Sequence, residues 1–155
     1  SSDVCSSDLK CLHGITVQIV APNNVYSVWA DVDSYLNASI NTATGDCTLE
    51  QLKLLLVRGE QTLLVSVNEQ NKINGAMTVE FQNLPSNRVM FITALGGHGI
   101  VNNETFGQVE TWARMQGATK ASAWAQEGQA RLYKIKAGFN TARMVVEKEI
   151  GRAHV

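Results

Sequence analysis

The sequence predicts a single α/β domain, a mixed sheet with helices on both of its faces. Three observations carry this. Short runs rich in β-branched residues cluster in the middle of the chain, between residues 62 and 95. Runs whose apolar residues recur at spacings of three and four lie before and after that cluster. After the turn at 85–87, RVMFITAL (88–95) is continuously apolar, as a central strand covered on both faces would be.

In order, ITVQIV (15–20) is short, β-branched and roughly alternating, and reads as the first strand. Pro22 and two asparagines form a turn and helix start. Val25, Val28, Trp29, Val32, Tyr35 and Leu36 then give an amphipathic helix to about Leu36, with polar NASINTATGD as a surface loop. Asp46 or Thr48 can cap the next helix, whose buried stripe is Leu49, Leu52, Leu55 and Leu56. TLLVSVN (62–68) and AMTVEFQN (76–83) read as antiparallel strands around the turn NEQNKING, and PSN (85–87) leads into the strand 88–95. GGHGI turns the chain into a helix lined by Phe106, Val109, Trp112, Ala113 and Gln116, which stops at Gly117. TKASAWA (119–125) is a short strand. GQARLYKIKAG is a helix with Leu132 and Ile135 inward, and FNTARMVVEKEI (139–150) is the closing strand. The order is β-α-α-β-β-β-α-β-α-β, neither a repeat nor a dinucleotide-binding alternation.

Both ends look foreign to this domain. Residues 1–9, SSDVCSSDL, and 150–155, IGRAHV, resemble in-frame translations of the two strands of a common short-read sequencing adapter, so a metagenomic read is the expected source. Setting them aside leaves a domain expected to span residues 10–149, long enough to bury a core without disulfides or metals. Without Arg152, Asp3 and Asp8, the 13 basic and 14 acidic residues become 12 and 12. A neutral chain without basic clusters offers no footprint for nucleic acid or an anionic membrane. Cys11 and Cys47 are unpatterned, as in a reducing interior, and no apolar run approaches the ~20 residues of a membrane span. His13 and His98 are distant from each other and show no ligand spacing with the cysteines, so no metal is expected.

The second half of the chain resembles the GCN5-related N-acetyltransferase (GNAT) fold family. The resemblance rests on the strand and glycine turn Val89–Gly99, on RLYKIKAGF (131–139), and on VSVNEQNKINGAMTV with Gly75 before its second strand. It implies acyl transfer from acetyl-coenzyme A to an amine, on a small molecule or a protein. The cofactor contacts it implies are Ile92, Ala94, Leu95, Gly96, Gly97, His98, Gly99 and Gln126, with the glycine turn meeting the pyrophosphate. Backbone N–H groups near Ile92–Leu95 would stabilise the oxyanion. Tyr133 would hand a proton to the departing thiolate. Glu80, alternating with Val79 and Phe81, could face a cleft as the base that takes the amine proton, and Glu127 is a second candidate. Trp124 and Trp29 could touch the acceptor or pack in the core.

The pattern of strand, LGG, WA-x-x-x-G, small strand, helix and GF is also similar to small GNAT-like proteins of tailed bacteriophages. Some of those are acetyltransferases and others are internal virion or head-associated proteins. Ala94 stands where the family usually has Gln or Arg, and Gln126 where it usually has Asn. The alternative these departures raise is a non-catalytic virion or assembly protein, binding other virion proteins. Either reading implies the host cytoplasm or the virion, with no secretion.

Overall fold

The computed structural model describes residues 15–41, 47–125 and 127–151. Five strands form one sheet in the order β1-β2-β3-β4-β5: β1 (Thr16–Val20), β2 (Thr62–Val67), β3 (Ile73–Asn83), β4 (Arg88–Gly97) and β5 (Lys120–Ala123). The first four pair antiparallel, and β5 runs parallel to β4. Four helices cover it: α1 (Val25–Asn41), entered through a 3₁₀ turn at Pro22–Asn24, α2 (Leu49–Val57), α3 (Asn103–Met115) and α4 (Glu127–Ala137). This is a single α/β domain, a five-stranded mixed sheet with helices on both faces as expected.

Strand alternation divides the core in two. Ala76 on β3 and Ala94 on β4 face Val32 and Leu36 of α1 and Leu52 and Leu56 of α2. Met77, Val79, Met90 and Ile92 face the other way, onto Phe106, Val109 and Ala113 of α3 and Tyr133 of α4. Thr48 caps α2 through a reciprocal box: its hydroxyl accepts from the Gln51 N–H, and the Gln51 side chain accepts from the Thr48 N–H. Edge strand β1 is strapped to α3 by Gln108, which accepts from the Val17 N–H at 2.8 Å and donates to the Ile15 carbonyl at 3.2 Å.

Several boundaries differ from the sequence reading, each for a packing reason. Helix α1 continues five residues past Leu36, because Ile40 falls one helical turn on and joins the core. β3 starts at Ile73 inside the expected turn, and β4 carries Gly96 and Gly97 as strand, paired with Ala76 and Gly75. On α4 the inward residues are Tyr133 and Ala137, one turn apart; Leu132 and Ile135 are 53% and 68% exposed. Gln116 is an exposed C-cap rather than part of the α3 stripe. The closing strand expected at 139–150 does not form. Phe139 packs against the core, while residues 140–150 are exposed and pair with no strand, so β-branched composition has no ladder to hold it.

Residues 1–9, Cys11, His13, Asp46, Gln126 and 152–155 lie outside the described residues. Among those described, no helix is long and apolar enough to cross a membrane, and no His, Cys, Asp and Glu cluster could hold a metal.

Candidate active site

A bulge in β4 begins the site. Val79 pairs with Ile92 and Thr78 with Ala94, so Thr93 is an extra residue on β4. The bulge turns both Thr93 and Ala94 toward α1 and α2. The Thr93 hydroxyl lies 2.7 Å from that of Thr78 and donates to Gln61 Oε1 at 2.6 Å. On its other side β4 pairs with β5 only from Val89 to Ile92, opposite Lys120 to Ala123. Past Ile92 the two strands part, and a cavity of about 300 Å³ fills the gap.

Ile92, Ala94, Leu95, Gly96, Gly97 and His98, six of the expected contacts, line this cavity together with Tyr133. Ser39, Thr93, Val101, Trp124, Gln129, Leu132 and Lys136 complete it. Ser39 could not be read from the sequence, because its segment looked like loop. Its hydroxyl accepts the Leu95 N–H at 3.1 Å, so that backbone donor is already engaged by α1. Lys136 had a legible signal: it sits three residues beyond Tyr133 on one helix face.

The Tyr133 ring is held by aromatic neighbours. Its centroid lies 4.9 Å from that of Phe139, which in turn lies 5.3 Å from Phe106. The residue is only 9% exposed, yet its hydroxyl meets no hydrogen-bond partner among the described residues. A tyrosine serving only as core would bury that hydroxyl against an acceptor. Desolvation by burial pushes its pKa up to about 12, so the phenol keeps its proton at neutral pH.

The glycines have their own structural reason. A side chain at Gly96 would run into the Tyr35 carbonyl of α1. Gly97 has φ +89°, and its added carbon would lie 2.5 Å from the Asn74 carbonyl oxygen and the Gly75 Cα. Gly99 is pressed on the Asn74 and Ser66 side chains in the same way and does not line the cavity. The His98 N–H donates to the Asn74 carbonyl at 3.0 Å. At the start of α3, Asn102 Oδ1 accepts from the N–H groups of Glu104 and Thr105 at 3.0 and 2.9 Å. The turn therefore spends several of its donors on the chain itself, and Glu104 adds negative charge where an anion would sit.

Glu80 is not brought to the cavity or to Tyr133. It lies on the α1 and α2 face, opposite Phe91 across the β3–β4 ladder. Its carboxylate accepts from Gln61 Nε2 at 3.3 Å and Gln82 Nε2 at 3.0 Å. Gln61 stands between it and Thr93, and an amide does not titrate, so the assignment of Glu80 as the base is corrected. Trp124 is 62% exposed at the cavity mouth and stacks edge-on with Phe91 at 5.4 Å, so it is not a core cap. Trp29 is half-buried under Lys53 Nζ, away from the cavity lining. Trp112 packs on Phe81.

No protein-family model and no curated protein matches the chain. Solved structures do match over most of its length. An aminoglycoside acetyltransferase from an uncultured soil metagenomic sample superposes with a TM-score of 0.63 at 15% identity, covering 90% of this chain and 99% of that one. An acetyltransferase of Trypanosoma brucei gives 0.56 at 13% identity, covering 88% and 99%. Glucosamine-6-phosphate N-acetyltransferase of Arabidopsis thaliana gives 0.57 at 13%, with the same coverage. At such identities the likeness is one of fold.

Proposed function

We propose that this protein is an acyl-coenzyme A-dependent N-acyltransferase, transferring an acetyl group to an amine. The observation that carries the reading is the unpartnered Tyr133 hydroxyl in the cavity opened where β5 leaves β4. The residues fit the acyl end of such a cofactor: a gap of about 300 Å³, a phenol that keeps its proton, and Lys136 to draw phosphate charge. When bound, acyl-coenzyme A supplies an activated thioester.

The residues divide the remaining work. The Thr93–Ala94 bulge shapes the strand edge beside which the acyl group lies. Tyr133 offers its O–H to the sulfur as charge develops there. No described carboxylate stands at the cavity, so the amine is taken up neutral and its extra proton is left with water. Lys136 adds to the anion binding expected of the glycine turn, where the His98 N–H is already engaged by the Asn74 carbonyl.

A second reading keeps the fold without chemistry, in a phage virion or virion-assembly protein whose partners are other virion proteins. One specific observation favours it: the first-turn N–H groups of α3 are already capped by Asn102 beside Glu104, where the pyrophosphate would sit. Single-turnover acetyl transfer to a panel of amines separates the two readings. Transfer that depends on Tyr133 supports the enzyme, and none at any amine supports the virion protein.

A further inference from the structure

We infer that the Thr93 hydroxyl accepts an N–H of the reacting amine, and that Gln61 and Glu80 are positioning residues that keep it ready to accept. The inference rests on the proposed acyl transfer for the nature of that reacting group.

One carboxylate sets the direction of every hydrogen in this network. A carboxylate accepts and does not donate, so Gln61 and Gln82 both turn their Nε2 groups to Glu80, at 3.3 and 3.0 Å. Gln61 is left with its Oε1 for Thr93, and the 2.6 Å between those two oxygens requires the Thr93 proton. Thr93 has one proton, already given to Gln61, so across 2.7 Å the Thr78 hydroxyl is the donor. The Thr93 oxygen keeps one lone pair and has no proton to offer. It meets a ligand as an acceptor.

Position gives this lone pair a use. Thr93 is half-buried and lines the cavity. Its hydroxyl lies on the α1 and α2 side with Gln61, whereas Tyr133 belongs to the core on the α3 side. The two hydroxyls therefore meet the gap from opposite faces of the sheet, one placed for the entering nitrogen and one for the leaving sulfur. As the C–N bond forms and the C–S bond breaks, the nitrogen takes on positive charge until its extra proton leaves to water. Its hydrogen bond to Thr93 strengthens at that moment, so the gain falls on the rate. The chain from Thr93 through Gln61 to Glu80 adds to it, because each bond polarises the next. Glu80 acts on the nitrogen without reaching the cavity and without taking the proton.

The test is single-turnover acetyl transfer from acetyl-coenzyme A to hydroxylamine, a nucleophile that is neutral at pH 7 and small enough to need no further contacts. Thr93→Val is expected to lower the rate at saturating hydroxylamine by about 10- to 10²-fold. The half-saturating concentration and the acetyl-coenzyme A affinity are expected to change by less than about threefold, which a purely structural role would not produce. Thr93→Ser, which keeps the hydroxyl, is expected to recover the rate to within about threefold. Glu80→Gln is expected to cost at least about threefold, and less than about twofold once Gln61→Leu has cut the chain. Circular dichroism establishes that each variant is folded at the assay temperature. If Thr93→Val does not fold, Glu80→Gln with and without Gln61→Leu decides the matter. An unchanged rate in Thr93→Val, or a Glu80→Gln effect that persists in Gln61→Leu, overturns the inference while the transfer reading stands. No transfer by the parent protein overturns that reading and the inference with it.

Discussion

Replacing Tyr133 by phenylalanine removes a hydroxyl that no protein group among those described accepts. Unfolding free energy at pH 7 should therefore change by less than about 0.5 kcal/mol, the range of substitutions that break no buried contact. The effect on transfer follows from the pKa. A thiol near ~8.5 facing a phenol at about 12 makes full proton transfer uphill by roughly 5 kcal/mol, so Tyr133 donates a hydrogen bond to the sulfur and keeps its proton. Such a bond to a charged group contributes about 1.5–3 kcal/mol, which converts to a loss of roughly 10- to 10²-fold in turnover. Stability adds a second readout. The folded-state pKa is raised, so above pH 10 the unfolded chain gives up its phenolic proton first. The stabilisation is complete below pH 10 and drains as pH rises toward about 12, by about 3 kcal/mol in all. Urea melts of both proteins at pH 7, 10 and 11.5, with stopped-flow turnover at pH 7, measure each part. The phenylalanine protein should lack that share of the alkaline loss. A drop of more than about 1 kcal/mol at pH 7 would mean the hydroxyl has a structural partner, and unchanged turnover would remove Tyr133 from the chemistry.

Two other substitutions probe the turn beside the cavity. Gly96→Ala drives a methyl group into the Tyr35 carbonyl, and since backbone cannot rotate away the expected cost is about 1–3 kcal/mol in denaturant melts; a neutral effect would show that α1 shifts freely. Asn102→Ala strips the cap from the Glu104 and Thr105 N–H groups and should cost about 1 kcal/mol. It frees those donors for phosphate, so acetyl-coenzyme A affinity should hold or improve even as thermal stability falls, and loss of both would contradict the competition described for α3.

Much of the fold was legible because each element announces itself locally. The alternation of AMTVEFQN, the spacing of Phe106, Val109 and Ala113, and the capping box at Thr48 are all properties of neighbouring residues. What was hidden depends on residues far apart in sequence. The helix through Ile40 is settled by packing on the sheet, the exposure of Leu132 and Ile135 by which side of α4 Tyr133 occupies, and the loss of the closing strand by the lack of any partner ladder. The site divides in the same way. Tyr133 and six turn and strand residues were readable from their order along the chain. The bulge at Thr93, the Ser39 contact and the Gln61 bridge to Glu80 each join elements more than ten residues apart, and no local pattern encodes them. The glycines mislead for the same reason: bare backbone suits an anion and also suits the close approach of Tyr35 and Asn74, and only the approach itself tells them apart.

Whether the gap between β4 and β5 receives an acyl-coenzyme A is decided by titration calorimetry with acetyl-coenzyme A. The expected result is a saturable heat with a dissociation constant well below millimolar, accompanied by a rise in melting temperature and retained in Tyr133→Phe. No heat and no thermal shift at millimolar acetyl-coenzyme A would contradict it and leave the fold without this chemistry.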